Sequence, residues 1–255
     1  MKKKEFLALG VMTGTSMDGV DLSLIKSDGL SKFTAILNDY QSFDNEFQSN
    51  LINLRDNISC SKDLKKYSIE ISNLEREITI YHSRIINDFL LQSKSQVDLI
   101  GFHGQTIFHN ANEKISKQLG DGKLLSQITK KIVVNNFRQK DLINGGQGAP
   151  LTPIFHKLVS NLINEKYKIS FPLNIVNIGG ITNITYIPDN KNSNLNLYSY
   201  DIGPGNCLID EWIRKNSKEK FDDNGKIGKS GKVNDLILNQ AIDNFDITSY
   251  GKSLD

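Results

Sequence analysis

Apolar residues along this chain repeat with two periods, and the switches between them lay out the fold. Phe6, Leu7, Ala8 and Leu9 form a short apolar run that predicts a strand; Val20, Leu22 and Leu24 alternate with Asp21 and Ser23 as a second strand would. The two make a hairpin around Thr13-Gly14-Thr15-Ser16-Met17-Asp18-Gly19, and residues 32–38 supply a third strand. Over residues 63–93 the period lengthens. Leu64, Tyr67, Ile71, Leu74, Ile78, Tyr81, Ile85 and Phe89 recur at steps of three and four, which predicts one long helix laid on a sheet. Residues 96–102 then read as a buried strand, 122–129 as a short helix, 131–135 as a strand and 150–163 as a helix starting at Pro150.

From residue 174 the order restarts. Strands are expected at 174–178, 182–188 and 195–200, with a Gly179-Gly180 turn between the first two, a helix at 208–214, a polar loop or hinge at 222–232 and a helix at 233–244. A topology that repeats without repeating its sequence points to an α/β protein of two related lobes, 1–172 and 173–255, with a cleft between them. The second lobe lacks the strand, helix, strand and helix that complete the first.

The 255 residues suffice for one large or two ordinary domains, and 38% hydrophobic with 24% charged residues fits a soluble globular chain. With 31 Lys and Arg against 29 Asp and Glu, the net charge of +2 calls for neither a nucleic acid nor an anionic membrane as partner. Cys60 and Cys207 are far apart and outside any metal-binding spacing, so they read as free thiols in a reducing compartment. Met1-Lys2-Lys3-Lys4 with the following apolar residues imitates a signal peptide, but that apolar part is too short, and no stretch approaches a membrane span. A cytoplasmic protein is expected.

The chemistry gathers at turns. Between Gly14 and Asp21, glycines allow backbone N–H groups to face an anion, hydroxyls add donors, and Asp18 or Asp21 can hold a Mg²⁺ that bridges phosphate oxygens. The competing reading is a hairpin whose Gly and Ser residues only shape the turn. It is not a Walker loop: Gly-Lys-Ser occurs at residues 228–230 and 251–253, but Asp223 and Asp246 stand where that motif needs its first glycine. The second glycine turn, at Gly179-Gly180, adds weight to phosphate binding. His103-Gly104-Gln105-Thr106 follows the carboxyl end of a strand, where ligands collect in open α/β sheets, although His103 could equally serve a hydrogen bond inside its turn. Residues 144–150, NGGQGAP, form a loop that is either a ligand site or a connector. Asp201, at a strand end before Ile202-Gly203-Pro204-Gly205-Asn206, is either a general base or a turn former.

Taken in order, GVMTGTSMDGVD, GFHGQT, LGDG, NFR with GGQGAPL, NIGGITNIT and YDIGPGN resemble the anhydro-N-acetylmuramic acid kinases, members of the actin-like, ribonuclease-H-like sugar-kinase ATPase superfamily. The resemblance implies an enzyme that hydrolyses the 1,6-anhydro bridge of the sugar and transfers the ATP γ-phosphate to the freed O6, giving N-acetylmuramic acid 6-phosphate in cell-wall recycling. It puts ATP on Gly14, Thr15, Ser16, Met17, Asp18, Gly19, Val20 and Asp21; the reading of the turns themselves adds Gly179 and Gly180 as further nucleotide contacts and Mg²⁺ on Asp18 and Asp21. The base that activates water falls on Asp201. His103, Gln105, Arg138, Asp141 and Gln147 are the candidate sugar contacts, with Arg138 suited to the lactyl carboxylate as a bidentate donor. A homodimer is in keeping with the resemblance.

Two residues depart from the family pattern. Asn136 stands where an Asp usually precedes Phe-Arg, and Ile202 replaces the Thr after the base. Family members also run on for roughly another hundred residues, the remainder of a lobe. The expectation is therefore a truncated second lobe and weak ATP affinity. A non-catalytic sugar- or nucleotide-binding relative is the alternative, and an actin-like assembly protein is disfavoured by GFHGQT and GGQGAPL.

Overall fold

Leu9, Val11, Val20, Leu22 and Leu24 are all at most 2% exposed, so the alternation in the first two strands turns one face of a hairpin into the floor of a core. The computed structural model describes residues 4–188 and 197–244. Its contacts fall into two compact units, Met1–Leu151 and Thr152–Asp255.

In the first unit β1 (Phe6–Met12), β2 (Gly19–Ser27) and β3 (Phe33–Ser42) form an antiparallel meander. α1 (Asn45–Asp56), α2 (Asp63–Lys66) and α3 (Ser68–Gln92) follow, then β4 (Leu99–Phe102), the hairpin β5 (Gln105–Asn110) and β6 (Ile115–Leu119), α4 (Gly122–Thr129), β7 (Ile132–Asn135) and α5 (Phe137–Ile143). The main sheet runs β3-β2-β1-β4-β7. β4 lies parallel to β1, with Leu9 opposite Ile100, and β7 lies parallel to β4, because helical crossovers return the chain to the same edge each time. Ile71, Ile78, Ile86 and Phe89 of α3 close the core over this sheet.

The long apolar stripe proves to be two helices. Tyr67 leaves helical geometry at φ −99° and ψ 24°, although its amide still reaches the Asp63 carbonyl at 2.9 Å. α1 was not among the expected elements, yet its buried Phe47, Leu51 and Leu54 keep helical spacing and Asp44 caps it by accepting from the Phe47 amide at 2.8 Å.

The second unit opens with α6 (Pro153–Tyr167), whose start is at Pro153 rather than Pro150; the ring sits in the first turn, where its missing N–H is not needed. β8 (Leu173–Ile178), β9 (Ile181–Ile187) and β10 (Tyr198–Pro204) then form a second antiparallel meander, ordered β10-β9-β8. α7 (Cys207–Asn216), α8 (Lys226–Ser230) and α9 (Asp235–Asp243) follow among the described residues. The expected loop at 222–232 holds a 3-10 turn and α8, organised by Asp222, whose carboxylate accepts from the Ile227 and Gly228 amides at 2.8 and 2.9 Å. Residues 1–3, 189–196 and 245–255, and with them the first residues of the signal-peptide-like start, the start of the expected strand 195–200, Asp246 and the Gly-Lys-Ser at 251–253, lie outside the described residues.

Asp28 shows how a single carboxylate can organise a turn. It accepts from the amides of Leu30, Ser31 and Lys32 at 3.0, 2.8 and 2.8 Å, and these hydrogen bonds hold its carboxyl well below the usual range. A depressed folded-state value means stability that is present above the unfolded value, near pH 4, and lost as pH falls toward the folded one. Asp28→Asn is therefore expected to be less stable than the parent at pH 7, with the gap narrowing at pH 3, as urea unfolding at both pH values will show.

Candidate functional site

β1 and β2 are joined by six residues, and the main chain turns back there because Met17 adopts φ +54° with its side chain wholly buried and its amide bonded to the Gly14 carbonyl at 3.2 Å. That leaves Thr15, Ser16 and Asp18 exposed on the outside of the turn. Val20 is buried in the core, so it and Met17 offer a ligand only their backbone. Gly19 has no room for a side chain: a Cβ there would lie 2.5 Å from the Gln41 carbonyl oxygen and 2.6 Å from the Tyr40 ring.

The acidic residues of the turn interact. Ser16 Oγ donates to Asp18 Oδ1 at 2.5 Å. Burial, and after it the charge of Asp18, raises the carboxyl of Asp21 above its ordinary value. Tyr40, opposite Asp21 on β3, is pushed up to about 12 by burial and then by the charge of Asp18 and a hydrogen bond to it. A cation would relieve the repulsion between the two carboxylates. Among the described residues no group of three or more His, Cys, Asp or Glu could hold a metal alone. A pair of carboxylates completed by phosphate oxygens and water is how Mg²⁺ is usually held, so Asp18 and Asp21 fit that ion.

A second cluster lies at the carboxyl ends of β4 and β7, in the same unit. His103 Nδ1 is 2.7 Å from the Gly104 carbonyl, and Arg138 brings Nε to 3.2 Å and Nη2 to 3.1 Å from His103 Nε2. One tautomer satisfies both ends: Nδ1 carries the hydrogen and Nε2 accepts. Burial first, and then the adjacent guanidinium, lowers the His103 value, so the ring is neutral at pH 7. Arg138 Nη1 reaches the Gly148 carbonyl at 3.5 Å, and Gly148 N donates to Asp141 Oδ2 at 2.7 Å. The structure thus brings His103, Arg138 and Asp141 together around Gly148. Gln147 is exposed on the same loop. Gln105 is wholly buried and turned the other way, its Nε2 donating to the Gly14 carbonyl at 3.1 Å. Asn136 takes the left-handed conformation, φ +58°, before α5 without capping that helix through its side chain; Asn tolerates this geometry better than most residues.

In the second unit the Gly179-Gly180 turn is stitched to the end of β10. Gly205 N donates to the Gly180 carbonyl at 2.8 Å, Asn206 N to the Gly179 carbonyl at 2.9 Å and Cys207 N to the Gly180 carbonyl at 3.3 Å. Asp201 sits half-buried on β10 opposite Asn183, and the ladder shifts register between it and Gly203. That bulge interrupts the ladder next to the carboxylate, and pairing resumes with Gly203 opposite Thr182. Ile202 alternates to the exposed side.

Three residues that the motifs contained but pattern reading did not single out prove central: Thr13, Gly104 and Gly148. Thr13 is 1% exposed and donates to the Gly104 carbonyl at 2.7 Å. The available signal was glycine beside a candidate ligand residue: Gly104 and Gly148 both have positive φ, +73° and +71°.

With that geometry in place, the comparisons with known proteins are specific. The family model described as anhydro-N-acetylmuramic acid kinase matches residues 6–249. A protein of that name from Pelagibacter ubique is 54% identical over 252 residues, covering 99% of this chain and 66% of the relative. Relatives of the same name from Brucella suis and Rhizobium etli are 37% and 34% identical, covering 89% and 92% of this chain and 60% and 63% of their own lengths. The chain thus spans between 60% and 66% of the length of these relatives.

Proposed function

The chain belongs to the anhydro-N-acetylmuramic acid kinase family, and from that premise we propose that it opens the 1,6-anhydro ring of anhydro-N-acetylmuramic acid with water and phosphorylates O6 from ATP. The observation that carries the reading is the concentration of polar chemistry at turns that the fold specifies closely: the Gly14–Asp21 turn, the His103–Arg138–Gly148 cluster and the Asp201 strand end. In this reading the lobes are actin-like, with a ribonuclease-H-like pattern; the three-strand meander that begins each unit's sheet supports it.

The Gly14–Asp21 turn receives the phosphates, with Thr15 and Ser16 hydroxyls and backbone N–H groups as donors. Asp18 and Asp21 would hold Mg²⁺, which when bound neutralises charge on the transferring phosphoryl group. Asp201 takes the proton of the water that attacks the anomeric carbon; the anomeric C–O6 bond breaks, and O6 becomes the phosphoryl acceptor. Arg138, oriented by neutral His103, receives the lactyl carboxylate, with Asp141 and Gln147 near the sugar hydroxyls. A cytoplasmic setting belongs to the same proposal.

Arg138→Met tests the sugar side. A charge-assisted pair to a carboxylate contributes about 1.5–3 kcal/mol, so the variant should bind anhydro-N-acetylmuramic acid roughly 10- to 100-fold more weakly. Its affinity for the anhydro-sugar lacking the lactyl group should match that of the parent in calorimetry. Equal losses for both sugars would remove Arg138 from this role.

A further inference from the structure

The Gly104 carbonyl is shared by two donors. Thr13 Oγ1 reaches it at 2.7 Å from the end of β1, and His103 Nδ1 at 2.7 Å from the end of β4. The oxygen has two lone pairs, so both bonds form at once and each restricts the direction of the other. Gly104 itself has little latitude: its φ is +73°, and a Cβ there would collide with the Leu119 carbonyl. Beyond His103 the chain of contacts runs through Arg138 to the Gly148 carbonyl, and from Gly148 N to Asp141. On the near side Gln105 Nε2 holds the Gly14 carbonyl at 3.1 Å, one residue from Thr13.

We propose that Thr13 is a positioning residue that ties the Gly14–Asp21 turn to the Arg138–Gly148 loop, so that movement of either is passed to the other through the Gly104 carbonyl and His103. The catalytic meaning of this tie rests on the kinase reading, in which one end serves phosphate and the other sugar. The tie itself is a property of the free chain. Without the Thr13 hydroxyl, the Gly104 carbonyl keeps one donor and loses the other. The peptide can then rotate, the His103 ring follows its acceptor, and Arg138 loses the fixed nitrogen that orients it toward Gly148. An ordinary buried hydroxyl would behave differently, its removal loosening the unit evenly or not at all.

NMR-detected hydrogen exchange of the ligand-free chain separates the two. Gly146 N, bonded to the Asp141 carbonyl at 2.9 Å, and Gly148 N, bonded to its carboxylate, report on the far end. Thr13→Val keeps the volume and removes the hydroxyl; it should speed exchange at both amides by about tenfold, the scale of one buried hydrogen bond. Thr13→Ser should restore slow exchange. Thr129→Val, which removes a buried hydroxyl bonded at 2.8 Å to the Leu125 carbonyl of its own helix, should leave both amides as they were. Unchanged exchange at Gly146 and Gly148 in Thr13→Val, or an equal rise there and across β1 and α3, would overturn the proposal. No sugar or nucleotide enters this test, so a chain that failed to phosphorylate would sink the kinase reading and leave the exchange result to decide the tie by itself.

Discussion

Asp201→Asn is expected to lower the rate of product formation by roughly 10²- to 10⁴-fold, the usual contribution of a general base, while leaving sugar binding intact. Asn has nearly the same shape and can still accept and donate hydrogen bonds, but it cannot take a proton from water. The half-buried position on β10, opposite Asn183 and just before the register shift, should tolerate the swap without repacking. Single-turnover measurements with Mg-ATP and the anhydro-sugar, beside calorimetry of the sugar alone, separate catalysis from binding. A variant that turns over at the parent rate would remove Asp201 as the base.

Gly205→Ala should be the most damaging small substitution in the second unit. A Cβ at residue 205 would meet the Gly179 carbonyl oxygen, a backbone atom that cannot swing aside, and would also lie 3.0 Å from Thr182 Oγ1. Relief requires the Gly179-Gly180 turn to part from the end of β10, straining the bonds at 2.8, 2.9 and 3.3 Å that join them. At about 1 kcal/mol for each bond, a loss of about 2–4 kcal/mol follows. Gly179→Ala is the contrast: its Cβ would have the Ile181 carbonyl at 3.8 Å, an ordinary contact. Urea unfolding should show a large shift of midpoint for the first and a small one for the second.

Much of this architecture was legible in the sequence because single elements carry strong periods. The β1–β2 hairpin and the α3 stripe follow directly from alternation and from three- and four-residue spacing. α1 escaped although Phe47, Leu51 and Leu54 had the right steps, because polar residues crowd the intervening positions. The β5–β6 hairpin escaped because its strands, QTIFHN and ISKQL, are mixed in polarity and pair only with each other. For the site, motif reading found His103, Arg138 and Asp141 separately, and only their meeting at Gly148 shows what the glycine-rich loop does for them. Gln105 illustrates the limit of spacing. Two residues from His103, it faces the Gly14 carbonyl because the positive φ of Gly104 redirects the chain between them. Thr13 carried no signal at all beyond being a hydroxyl in a turn.

The most direct test of coupled ring opening and phosphorylation is mass spectrometry of anhydro-N-acetylmuramic acid incubated with Mg-ATP and the chain. Expected is a single sugar product that has gained both a phosphoryl group and the elements of water, formed with one ADP per sugar. ATP consumed with the sugar unchanged, or a sugar opened by water without phosphate, would contradict it.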